Sequence, residues 1–150
     1  MEITDAPRTV QQRVRDALAR LEGDDDLWIA TARDGQPWLV PLSFHWTGTA
    51  VLMATLRRSR TYRNLAAGGG ARVTLGHTRD VLMLDGETDF PDELRASDAD
   101  AVAVATGYDP RTETETAYLR FVPTRAQAWR TVAELTDRTI MTDGRWVADP

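Results

Sequence analysis

Apolar and polar residues alternate with period two over most of the chain, and with period 3.6 in three stretches only. Between residues 7 and 22, Val10, Val14, Ala17, Leu18 and Leu21 share one stripe. An amphipathic helix is expected there, with Asp5 capping its start and Gly23 stopping it. Strand patterns follow. Leu27 to Arg33 runs into Asp34-Gly35, a type I′ hairpin signal; Gln36 to Trp46 returns, and Thr47-Gly48 leads into Thr49 to Leu56, which together read as a three-strand meander. In the second strand Trp38, Val40, Leu42, Phe44 and Trp46 take the core face, while Leu39, Pro41, Ser43 and His45 take the other. Pro41 has no N–H to give a ladder, so it belongs at a sheet edge or beside a ligand.

A short helix is expected from Arg60 to Ala67, ended by Gly68-Gly69-Gly70, which lacks the following Gly-Lys-Ser/Thr of a nucleotide loop. Ala71 to His77 and Val81 to Phe90 read as two more strands, with a bulge at Gly86. Pro91-Asp92-Glu93 should open another helix, with Leu94, Ala101, Val102 and Ala105 inward and Gly107 as its stop. Tyr118 to Arg130 is extended and bent at Pro123, and Asp143-Gly144 marks a last hairpin. Six or seven antiparallel strands with few helices point to a mainly β, α+β Greek-key barrel forming a single domain over residues 1–150.

Charge changes the picture at one place. The chain carries a net charge of -5, yet Arg57, Arg58, Arg60 and Arg63 crowd around Ser59 and Thr61, directly after the strand Val51 to Leu56. Hydroxyls and guanidinium groups where a strand delivers the chain to a helix suit a phosphate group. A solvated basic turn is the alternative. No basic face extends beyond this cluster, which argues against nucleic acid as the main partner. The 18 basic residues are all Arg, as a GC-rich genome would produce. No apolar run reaches membrane-spanning length and the first residues lack a signal-peptide pattern, so a cytoplasmic protein is expected.

Other chemistry has little to work with. There is no Cys, no Gly-x-Ser-x-Gly elbow, and only His45 and His77, which lie in different strands. Asp24-Asp25-Asp26 reads as a solvated loop, since hard cations need ligands spaced along a folded turn. Of the tryptophans Trp28, Trp38, Trp46, Trp129 and Trp146, most should be core. Trp129 and Trp146, among Arg125, Arg130, Arg138 and Arg145, suit an interface or a cofactor rim.

The run Trp38-Leu39-Val40-Pro41-Leu42-Ser43-Phe44-His45-Trp46, then Met53-Ala54-Thr55, then Ser59-Arg60-Thr61-Tyr62-Arg63-Asn64-Leu65 resembles the FMN-binding core of the pyridoxamine 5′-phosphate oxidase-like split β-barrel superfamily. Ile29 to Pro37 is similar to its first hairpin, and Ala128-Trp129-Arg130 to its C-terminal strand. The resemblance implies a homodimer with a flavin-type cofactor in each of two clefts between subunits, acting as an oxidoreductase on a small-molecule substrate. Trp38, Val40, Pro41, Leu42 and Ser43 would meet the ring, Thr55, Ser59, Arg60 and Thr61 would hold the phosphate, and Ala54, Arg58 and Trp129 would complete the cofactor-binding set. Thr61 stands where family members often carry Lys, and the C-terminal Arg-x-His pair of the true pyridoxamine phosphate oxidases has no counterpart. The cofactor expected is FMN, or else coenzyme F420, which another branch uses. No side chain need be a nucleophile, although His45 or Tyr62 is placed to assist proton transfer. A non-catalytic flavin-binding protein and a barrel without cofactor remain the alternatives.

Overall fold

The computed structural model describes residues 6–150. Helix α1 spans Val10–Gly23 and is capped by Thr9, whose hydroxyl accepts from the Gln12 N–H at 3.1 Å. Asp5, the cap expected from the pattern, lies outside the described residues. Val14, Ala17 and Leu21 enter the core, and Arg13 goes with them, its guanidinium donating to the Asp137 carbonyl.

The strands are β1 (Asp26–Arg33), β2 (Gln36–Ser43), β3 (His45–Trp46), β4 (Val51–Leu56), β5 (Ala71–Leu75), β6 (Val81–Asp89), β7 (Thr116–Trp129), β8 (Thr139–Thr142) and β9 (Arg145–Trp146). Helix α2 (Arg60–Ala66) follows β4, and α3 (Ala96–Thr106) follows β6. The sheet runs β2-β1-β5-β6-β7-β4-β3, antiparallel throughout, with β8 paired to β7 and β9 to β8.

The expected meander is corrected by this order. Phe44 is buried, and it interrupts the run from Gln36 to Trp46 so that β2 pairs with β1 while β3 pairs with β4. Consecutive strands one residue apart therefore occupy opposite ends of the sheet. A flat sheet cannot satisfy that connection, so the sheet curls until its two ends meet, as in a split barrel. Ile29, Val51, Met53, Val73, Leu84, Leu119 and Phe121 fill it, with α1 packed against them. A smaller cluster, Leu52, Ala54, Val102 and Tyr118, lies between the outer side of β4 and β7 and helix α3.

Local chemistry explains the junctions. Asp34 and Gly35 have φ of 52° and 74°, and Asp143 and Gly144 have 51° and 76°, the two positive angles a type I′ hairpin requires. The β6–β7 register shifts between Asp85 and Gly86, where the sequence places a bulge, leaving Thr124 beside Pro123 as the extra residue. Helix α3 begins at Ala96 rather than at Pro91. Phe90 packs edge-on against Tyr62, with ring centres 5.2 Å apart, and Leu94 packs on the smaller cluster, so the residues between run as irregular chain that bends at Asp92. Within α3, Ala99 and Val102 are buried, whereas Ala101 and Ala105 stay half-exposed. The tryptophans also depart from expectation: Trp46 is buried, Trp28 and Trp38 are exposed, and Trp129 and Trp146 are half-buried.

Candidate cofactor site

Strand β4 hands the chain to α2 through Arg57 and Arg58, in a turn closed by the Ser59 N–H on the Leu56 carbonyl at 2.9 Å. Ser59 is the N-cap: its hydroxyl accepts from the Tyr62 N–H at 3.1 Å and from the Thr55 hydroxyl at 3.5 Å. Thr61, Asn64 and Leu65 form the buried side of the helix, and Arg60 and Arg63 its exposed side. The Asn64 amide donates to the Thr31 hydroxyl at 3.0 Å in a buried contact, which fastens α2 to β1. Arg60 lies with its guanidinium carbon 4.9 Å from the centre of the Trp38 ring, a cation–π stack across from β2. Arg57 turns the other way, toward the Thr114 carbonyl and the Tyr62 hydroxyl, each at 3.3 Å.

The electrostatics of this corner differ from the rest of the surface. Arg8, Arg20, Arg72, Arg95, Arg111, Arg120, Arg125 and Arg130 each pair with a carboxylate. Among the described residues, Arg33, Arg57, Arg58, Arg60 and Arg63 have no salt bridge. All five lie on the β1–β2 tip or at the β4–α2 junction, the two places that Asn64 and Thr31 tie together. The other arginines without one, Arg13, Arg15, Arg79, Arg138 and Arg145, are distributed over α1, the β5–β6 turn and the C-terminal segment. Arg33, Asp34, Gln36, Arg60, Arg63 and Asn64 line a depression of about 270 Å³ at the corner. Guanidinium groups without a carboxylate partner make the patch electropositive, and it suits an anion.

The structure brings some of the expected residues together and keeps others apart. Trp38 meets Arg60, Thr55 meets Ser59, and Arg58 stands exposed in the same turn. Val40 and Leu42 pack half-buried on the core, Pro41 is exposed opposite Trp28, and the Ser43 hydroxyl donates to Asp26 at 2.6 Å. Pro41 sits on a sheet edge, as its missing N–H requires, because β2 ends the strand order. Thr61 is 2% exposed and Ala54 is buried beneath α3, so neither offers a side chain to a surface ligand. Trp129 lies at one end of β7, beneath the Arg138 guanidinium at 5.9 Å, whereas Thr55 pairs with Ala117 near the other end. His45 approaches Asp98 at 3.5 Å, and the exposed His77 accepts from the Arg79 N–H. No group of three potential metal ligands occurs among the described residues.

Arg33 and the Asn64–Thr31 bond were not evident from sequence. Arg33 adjoins the Asp34-Gly35 turn, a signal that it sits at a hairpin tip, but only the folded chain sets that tip beside α2.

No family model and no curated protein matches the sequence. Solved structures do match. An FAD-binding protein from Mesorhizobium loti is 16% identical with a TM-score of 0.64, the alignment covering 81% of this chain and 92% of that one. An F420 reductase is 18% identical with a TM-score of 0.60, over 72% of this chain and 93% of that one. A heme binding protein from Mycobacterium smegmatis is 19% identical with a TM-score of 0.68, over 93% of this chain and 60% of that one. Likeness at these identities is a likeness of fold. Proteins of the pyridoxamine 5′-phosphate oxidase-like and general stress protein 26 kinds match as well, and the chain has their fold, the split β-barrel.

Proposed function

We propose that this protein is a homodimeric oxidoreductase that holds a flavin-type cofactor, FMN or coenzyme F420, and exchanges a hydride with a small organic substrate. The observation that carries the reading is the group of five guanidinium groups without carboxylate partners, in an acidic chain, beside an exposed tryptophan on an edge strand. Such a corner fits a cofactor with an anionic arm and a flat ring. Arg58 and Arg60 would hold the arm, Ser59 would fix the turn that presents them, and the open side of β2 would face the ring. The bound cofactor would supply two-electron chemistry. The protein's own part is to bind, orient and shield it.

The split-barrel neighbours include proteins named for FAD binding and for F420 reduction, which supports a flavin-type ligand. Mass spectrometry of the cofactor retained on purification, with titration of FMN and F420, tests this directly. Arg60→Gln should weaken binding by between about tenfold and a hundredfold, the value of one charge-assisted hydrogen bond. A colourless protein that takes up neither cofactor would reject the reading.

The dimer is proposed on two grounds. Trp28, 47% exposed, and Leu39, 59% exposed, form an apolar patch with Pro41 on the outer side of β1 and β2. Trp129 and the β4–α2 turn also lie toward opposite ends of β7, so a second copy is needed to bring a Trp129 to the cofactor. Sedimentation should find a dimer for the wild type and a monomer for Leu39→Asp. A monomeric wild type that still binds cofactor would refute this arrangement.

Binding without turnover is the second reading, favoured by the lining of the corner, in which Asp34 is the one acidic side chain and neither His nor Tyr takes part. A loaded protein that no donor reduces and no acceptor reoxidises would establish it.

A further inference from the structure

We propose that the depression between the β1–β2 tip and α2 is an anion subsite of its own, built for a phosphate-class group additional to the one at Arg58 and Arg60. It rests on the cofactor reading for its ligand, though not for its charge.

Three arginines from two elements line it: Arg33 from the end of β1, and Arg60 and Arg63 from consecutive turns of α2. Asp34 is its one carboxylate, and no ion pair joins Asp34 to any of the three among the described residues. Like charges held close repel one another, and an anion relieves that repulsion.

The cradle is also fixed by contacts that need no ligand. The type I′ turn at Asp34 and Gly35 sets Arg33 on one side. On the other, Asn64 is bonded to Thr31, and Gly69 sits so close to β1 that a Cβ there would stand 2.9 Å from the Ala32 carbonyl oxygen and 3.0 Å from that of Asn64. The C-terminal part of α2 and the chain just beyond it are therefore pinned to the strand that carries Arg33. The backbone positions that carry these arginines are set by the fold, so binding has only their side chains to order. A volume of about 270 Å³ is ample for a phosphate group, and the Gln36 amide in its wall adds a neutral donor.

Arg60 belongs to both sites, stacked on Trp38 on one side and lining the depression on the other. The second anion is therefore placed next to the first, as in a cofactor arm with two phosphates. A free dianion has the same chemistry, and the experiment separates the two sources.

Calorimetric titration of the full chain with FMN, FAD and inorganic pyrophosphate is compared for wild type, Arg33→Gln and Arg60→Gln, with the exposed Arg145→Gln as a control for net charge. Arg33→Gln should weaken FAD and pyrophosphate by about fivefold and leave FMN unchanged, the effect of one exposed charge pair. Arg60→Gln should weaken all three. If pyrophosphate alone responds to Arg33→Gln, the subsite stands and serves a free anion. If neither flavin binds while pyrophosphate does and loses affinity in Arg33→Gln, the cofactor reading fails and the subsite survives. Arg33→Gln binding all three like wild type, or weakening FMN as much as FAD, would overturn the proposal. So would a wild type that binds neither pyrophosphate nor FAD.

Discussion

Glu134→Gln should destabilise the protein by about 3 kcal/mol at neutral pH and flatten its loss of stability in acid. Glu134 is 1% exposed at the end of the 3-10 turn Val132–Glu134. Burial alone would raise its carboxyl, but the Arg8 side chain, the Arg8 N–H and the Arg130 N–H donate to it at 2.8 to 2.9 Å and bring it down to about 2. The folded value lies below the 4.5 of an unperturbed glutamate. The ionised carboxylate therefore contributes its full stabilisation above the unperturbed value, and the contribution fades as pH falls through about 2. The glutamine side chain would keep the shape but leave the Arg8 guanidinium half-buried beside a neutral amide. Asp16, also lowered against burial by hydrogen bonds from Arg8 and Gln12, contributes on the same side, so some acid sensitivity should remain. Denaturant unfolding across the acid range measures both effects. Parallel curves for variant and wild type would show that the clasp contributes nothing.

Gly86→Val should cost about 3 kcal/mol or more, near the upper end for overpacking, because the obstruction is backbone. A Cβ at Gly86 would press into the Val122 carbonyl oxygen and stand 2.9 Å from both the Phe121 ring and the Pro123 Cα. Those atoms belong to the bulge where β6 and β7 change register, and they move only if the ladder does. Gly86→Ala should be less harmful but still clearly destabilising. Thermal unfolding as stable as wild type for the valine variant would mean that the bulge yields freely.

Turns and strand faces were legible in the sequence because their chemistry is local. Asp34-Gly35, Asp143-Gly144, the Gly86 bulge and the edge position of Pro41 all follow from dihedral or donor requirements within a few residues. The pairing of β2 and β3 was not, since the chain leaves one end of the sheet at Phe44 and rejoins it at the other, and that closure is a property of the assembled barrel. Trp38 misleads for a related reason. It has the parity of a core residue but lies toward the tip of β2, where the barrel ends and Arg60 takes the place of core. At the candidate site, the basic turn announced itself through charge density. Its extension to Arg33 did not, because contact between the hairpin tip and α2 depends on the side chains of Asn64 and Thr31, 33 residues apart.

The absence of lysine has a consequence for that corner. A cluster of ammonium groups can be acetylated, or can share out its protons when crowded; guanidinium groups do neither within the range in which proteins stay folded. An anion bound at that exposed corner would be held by charge, so rising ionic strength or a competing anion should displace it.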